Sequence, residues 1–126
     1  MGKHIAIVTL FIILILFAWF QRIYISNSYA QLSQATNEIE QEILNKDIIK
    51  TNESISDFGV LWEKNSKTWM SLMLHEHVDS VYKNYFLMKK YAQYGNLSLA
   101  AVYLEQLKYS LSDVNQLDEL NIKNIF

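Results

Sequence analysis

Cysteine and proline are absent from the 126 residues, and glycine occurs three times, at Gly2, Gly59 and Gly95. Without cysteine the chain can build no disulfide framework, no thiolate metal site and no cysteine nucleophile. Without proline, and with so little glycine, almost nothing interrupts a backbone hydrogen-bond ladder, so long helices are favoured. A formal charge of −2, with no clustered basic stretch, argues against a nucleic-acid partner, which would need a concentrated basic face. Also missing are a glycine-rich phosphate loop, a G-x-S-x-G elbow and any carboxylate constellation on a loop scaffold. The expectation is therefore a non-enzymatic protein with no cofactor and no bound metal.

What the chain does have begins at its amino terminus. Ile5 to Phe20 is a run of sixteen residues in which Thr9 is the sole polar member, and continuation to Ile25 makes twenty-one. At about 1.5 Å per residue the longer span approaches the roughly 30 Å hydrocarbon core of a bilayer. Trp19 and Tyr24 fall where an interfacial aromatic belt belongs, and Arg22 is placed to snorkel toward headgroups. The alternative is a cleaved signal peptide, for which Ser28-Tyr29-Ala30 supplies small residues at the −3 and −1 positions. The anchor is preferred, because the apolar run exceeds a normal h-region and Ala30 lies ten residues beyond its end. Lys3, His4 and the terminal amine precede the span, and after Arg22 the next basic residue is Lys46. This bias puts the amino terminus in the cytoplasm. Residues 1–25 are then a single-pass anchor in the cell membrane and residues 26–126 an extracytoplasmic helical domain. Gly2 does not make a myristoylation site, because Ala6 stands where Ser or Thr is required. The sequons at Asn52 and Asn96 matter only in a host that glycosylates exported proteins.

Beyond the span, Tyr29, Leu32, Thr36, Ile39 and Ile43 recur at spacings of 3 and 4, with Glu38, Gln41 and Glu42 turned outward. This predicts a helix running out of the membrane and ending near Lys50, followed by a turn at Thr51-Asn52-Glu53-Ser54. A capping box, Ser54 with Asp57, is expected to open the next helix. That helix carries two stripes: Ile55, Phe58, Trp62, Trp69 and Leu72, then Leu74, Val78, Val81, Tyr85, Met88 and Ala92. At 100° per residue the stripes lie roughly 140° apart. Either one unbroken helix is covered from two sides, around an apolar overlap at residues 70–74, or it breaks near Asn65-Ser66-Lys67-Thr68. Gly95 predicts a C-cap, and Asn96 or Ser98 can start a last helix with Ala100, Leu104, Leu107, Leu111 and Val114 on one face. Its end is expected near Glu119, with the tail LNIKNIF tucking its apolar groups into the bundle. The fold expected is all-α: an N-terminal transmembrane helix, then an antiparallel bundle of three helices, or four if the long one breaks.

The stretch HEHVD at 75–79 invites a metal reading. Metalloprotease-type sites need histidines four apart on one helical face, but His75 and His77 are two apart, about 200° around a helix. They cannot grip one ion from the same segment. His75 and Asp79, at i and i+4, do share a face and could form a hydrogen-bonded or proton-sensing pair. Helix-surface pairing or packing is the preferred role, with His77 bordering the apolar stripe and Glu76 pointing away. Trp62 and Trp69 follow the helical stripe, which points to core packing rather than a ligand cage.

The apolar anchor, LWEKNSKTW with Trp62, HEHVD from His75, a Leu-rich last helix and a terminal NIKNIF together resemble the small bacterial proteins grouped as domain of unknown function 4363. The resemblance covers nearly the whole chain, through short motifs. It implies a membrane-attached helical protein of Gram-positive, often spore-forming, bacteria, and it implies no activity. Trp62, His75, Glu76, Asn124, Ile125 and Phe126 carry over as suspected family positions.

The functional expectation is an accessory or interaction protein. The anchor touches the lipid bilayer, and the bundle meets a protein partner, a membrane protein or another copy of the chain. High local concentration at the membrane lets weak contacts suffice. The rival expectation is a sensory bundle that answers to a small ligand, a metal or pH through His75 and Asp79.

Overall fold

The computed structural model describes residues 1–72 and 75–125, with side chains described as far as Gln116. Four α-helices follow one another: α1 (Gly2–Leu44), α2 (Ile48–Leu72), α3 (His75–Gln93) and α4 (Leu97–Ile125). No strand occurs among the described residues. Helix α1 is 43 residues long, about 65 Å at the α-helical rise. Its first half stands clear of the rest of the protein, with Ile5, Phe11, Phe17 and Phe20 all exposed. Its second half enters the core at Ile25. Among the described residues, α1 is the one helix long and apolar enough to cross a membrane.

The first turn lies earlier than the sequence suggests. Helix α1 ends at Leu44 rather than near Lys50, and Thr51-Asn52-Glu53-Ser54 is helical, inside α2. The reversal is made by Asn45, Lys46 and Asp47. Lys46 adopts a left-handed backbone, φ 57°, its N–H bonds the Ile43 carbonyl at 3.0 Å, and the Asp47 N–H bonds that of Glu42 at 3.2 Å. This is a Schellman arrangement built on lysine instead of glycine, which is why composition hid it. Asp47 then caps α2, its Oδ1 accepting from the Lys50 N–H at 3.0 Å, so the expected Ser54–Asp57 capping box goes unused. The α3–α4 turn repeats the device. Gly95, φ 78°, donates to the Ala92 carbonyl, Asn96 donates to that of Tyr91, and Asn96 Oδ1 caps Leu99 N–H at 3.1 Å.

The expected long second helix is two helices. Phe58 and Tyr85 have ring centroids 5.5 Å apart, whereas 27 residues of unbroken helix would separate them by about 40 Å. The chain therefore turns back between Leu72 and His75, and the expected apolar overlap at 70–74 falls partly on residues 73 and 74, outside the described residues. The alternative break near Asn65–Thr68 is also corrected, since α2 passes through it unbroken. Each of the two stripes belongs to its own helix, and the 140° offset between them marks the change of helix. At the other end α4 runs to Ile125 rather than stopping near Glu119, as suits a segment without glycine or proline after Asn96. The expected tucking of the LNIKNIF side chains lies outside the described residues.

The helices alternate in direction, each packed against its sequence neighbour, and α4 closes the ring against α1. Buried apolar positions step by 3, 4 or 7: Leu32, Ala35 and Ile39 on α1; Ile55, Phe58, Trp62 and Trp69 on α2; Val78, Val81, Met88 and Ala92 on α3; Ala100, Leu104, Leu107, Leu111 and Val114 on α4. That period suits near-parallel helix packing in a four-helix bundle. Tyr91 and Tyr103 stack across α3 and α4 at 5.4 Å, and Lys108 forms an ion pair with Glu40 between α4 and α1.

Candidate functional site

The α2–α3 seam is opened by one close approach. At Gly59 the Tyr85 hydroxyl sits against the α2 backbone, in space that a Cβ would occupy. Beside this contact runs a groove of about 520 Å³, lined among others by Val60, Trp62, Glu63, Met70, Asp79 and Tyr82. Val60 and Tyr82 are more than half exposed, while Trp62 forms a buried floor, edge-on to Trp69 at 5.7 Å and 85°. Glu63 and Asp79 are the charged side chains in the lining. Burial raises the Tyr85 hydroxyl above its ordinary pKa of 10.0, helped by the neighbouring Tyr82 and Glu63. The groove is thus an apolar trough with an acidic margin, suited to covering by an apolar surface that carries positive charge.

A second polar constellation lies along α1 at the root of the bundle. Gln21 donates to the Leu72 carbonyl at 3.4 Å, Arg22 to Asn115 Oδ1 at 3.1 Å, and Tyr24 to Asn65 Oδ1 at 2.9 Å. Asn65 in turn donates to the Leu61 carbonyl, and Trp69 Nε1 donates to the Ser28 hydroxyl. These bonds satisfy polar groups that the core would otherwise strand. Asn65 and Ser28 are buried. Sequence reasoning read Asn65 as part of a break and Ser28 as part of a cleavage site. The signal that finds Asn65 is its place in the run Thr51, Ile55, Phe58, Trp62, Asn65, Trp69, which steps by 4 and 3.

The residues singled out from sequence are spread along the molecule. Trp62 and Asp79 meet in the α2–α3 groove. His75 and Glu76 open α3 and are exposed, and His77 is half-buried beside Val78. No hydrogen bond or ion pair joins His75 to Asp79, both described and both exposed. Among the described residues no group of three or more His, Asp or Glu is placed to hold a metal ion. Asn124 and Ile125 lie on the last turn of α4, their side chains outside those described, and Phe126 is beyond the described residues. Sequence places Tyr85 only on an apolar stripe and does not single out Gly59, Val60 or Tyr82, because the part these four play in the groove depends on α3 folding back onto α2.

No curated protein and no solved structure matches the chain. The family model described as domain of unknown function (DUF4363) matches residues 19–125, which include all of α2, α3 and α4 and the half of α1 that enters the core. With its whole bundle inside that match, the chain belongs to the DUF4363 family.

Proposed function

We propose that this protein is a non-enzymatic, membrane-anchored interaction protein that presents its bundle on the outer face of the cell membrane and holds a partner protein in the α2–α3 groove. The observation that carries this reading is the groove itself: exposed Val60 and Tyr82 beside buried Trp62, with Glu63 and Asp79 as its charges. The partner it fits is a helical segment bringing apolar side chains and at least one Lys or Arg, most readily from another protein of the same membrane. Support for the anchor comes from exposed Ile5–Phe20 on α1, and for the outward orientation from Lys3 and His4 ahead of that run. The sensory alternative has less behind it, since His75 and Asp79 are solvent-exposed and not bonded to each other.

A photo-crosslinking side chain at Tyr82 of the full-length chain in its native membrane tests the proposal. The expected product is a heterologous adduct that disappears when Glu63→Lys reverses the charge of the groove while leaving the helical signal intact. A product consisting of two copies of this chain, or an adduct indifferent to Glu63→Lys, would overturn the reading.

A further inference from the structure

Helix α1 passes from exposed apolar residues to a fully buried one within a few residues. Phe20 is 72% exposed and Ile25 is 0% exposed, five residues later, a rise of about 7.5 Å. Within that interval Gln21 holds the carbonyl of Leu72, the last residue of α2, and Arg22 holds Asn115 of α4. The end of α2 is therefore level with the end of the apolar run. The opposite pole, at Lys46 and Gly95, lies at the far end of the bundle. Below the α2–α3 end, a bilayer entered by α1 would present its headgroup layer, which is about 5–8 Å thick on each side of the hydrocarbon.

We infer that the base of the bundle, formed by the end of α2 and the start of α3, is seated in the headgroup layer of the membrane that α1 enters, making lipid headgroups a direct ligand of this chain. The inference rests on the anchored reading above and adds to it a fixed stance. The first bonds of the bundle lie one residue beyond exposed Phe20, and α1 is a continuous helix through this junction, so the bundle cannot swing away on a tether. Helix α4 runs antiparallel to α1 and continues from Asn115 to Ile125, about 15 Å further, which carries its end into the same layer. The edge that meets the lipid includes Met70, Ser71 and His75, all exposed. An upright bundle rooted in this way holds the α2–α3 groove side-on to the membrane, facing neighbours in the plane.

The absence of native cysteine makes single-site spin labelling of the full chain direct. Labels at Leu14→Cys, Ser71→Cys and Lys46→Cys are placed in vesicles of phosphatidylethanolamine and phosphatidylglycerol, and their collisions with oxygen and with a water-soluble nickel chelate are compared. Variants are used whose helical signal and thermal midpoint match those of the native chain. Leu14 should read as hydrocarbon, Ser71 as interfacial with nickel access several-fold below that at Lys46, and Lys46 as aqueous. Nickel access at Ser71 equal to that at Lys46, with Leu14 still in hydrocarbon, would overturn the seating and leave the anchor standing. An aqueous Leu14 would remove the anchor and the seating together.

Discussion

Trp69 donates its indole N–H to the Ser28 hydroxyl at 2.8 Å, and that hydroxyl donates onward to the Ile25 carbonyl at 3.0 Å. Both side chains are buried in the α1–α2 seam. Ser28→Ala leaves the indole without its acceptor, at a cost of about 1–3 kcal/mol. Urea melts of the full chain in detergent should show a lower midpoint at an unchanged slope. Trp69→Phe should cost less in the Ser28→Ala background than in the native one, and strict additivity would show that the bond contributes nothing.

Thr51 is fully buried, and its hydroxyl lacks a hydrogen-bond partner. Valine has nearly the same shape without the stranded polar atom. Thr51→Val should raise stability by about 1 kcal/mol, read as a higher thermal midpoint. A fall in that midpoint would mean that the hydroxyl is paired in solution.

The two turns at the far end of the bundle use the same left-handed residue, once as Lys46 and once as Gly95. A side chain in that conformation costs about 1–2 kcal/mol relative to glycine. Lys46→Gly should therefore stabilise the protein and Gly95→Ala should destabilise it by a similar amount. The opposing shifts are measurable in parallel denaturant titrations.

Gly59→Ala places a methyl group where the Tyr85 hydroxyl lies. The expected loss is about 1–3 kcal/mol, typical of overpacking. Tyr85→Phe removes the obstructing oxygen and should restore much of it. If the double variant is as unstable as Gly59→Ala alone, the closeness of α2 to α3 has another cause.

The raised Tyr85 hydroxyl also sets a pH dependence. The folded state keeps this proton at a pH where the unfolded chain, with an ordinary value of 10.0, has begun to lose it. The contribution is thus whole below pH 10 and declines as pH rises toward and through the folded value. Chemical denaturation between pH 9 and 11.5 (about the accessible alkaline range) should show falling stability, with a shallower fall in Tyr85→Phe.

Much of the fold is legible because it is written in local periodicity. The predicted stripe of α4, from Ala100 to Val114, is buried at every position, and Leu32, Thr36 and Ile39 of α1 are buried as expected. The turns were harder to read. Lys46 carries no compositional mark of a left-handed residue, and the Thr51–Ser54 cluster resembles a turn although it lies within α2. There Thr51 faces the core, and Asn52 donates to the carbonyls of Ile48 and Ala92. The groove was less legible still, because Gly59 and Tyr85 are 26 residues apart and acquire their relationship only on packing.

Sequence alone determined the helical class, the apolar run at the amino terminus and the apolar face of each helix, because these follow from composition and from spacing within a few turns. Tertiary structure decided where the chain doubles back after Leu72, which polar side chains the core accepts, and how an apolar trough with an acidic margin forms between α2 and α3. Those outcomes depend on partners tens of residues away, such as Ser28 for Trp69 and Tyr24 for Asn65, whose proximity no local pattern encodes.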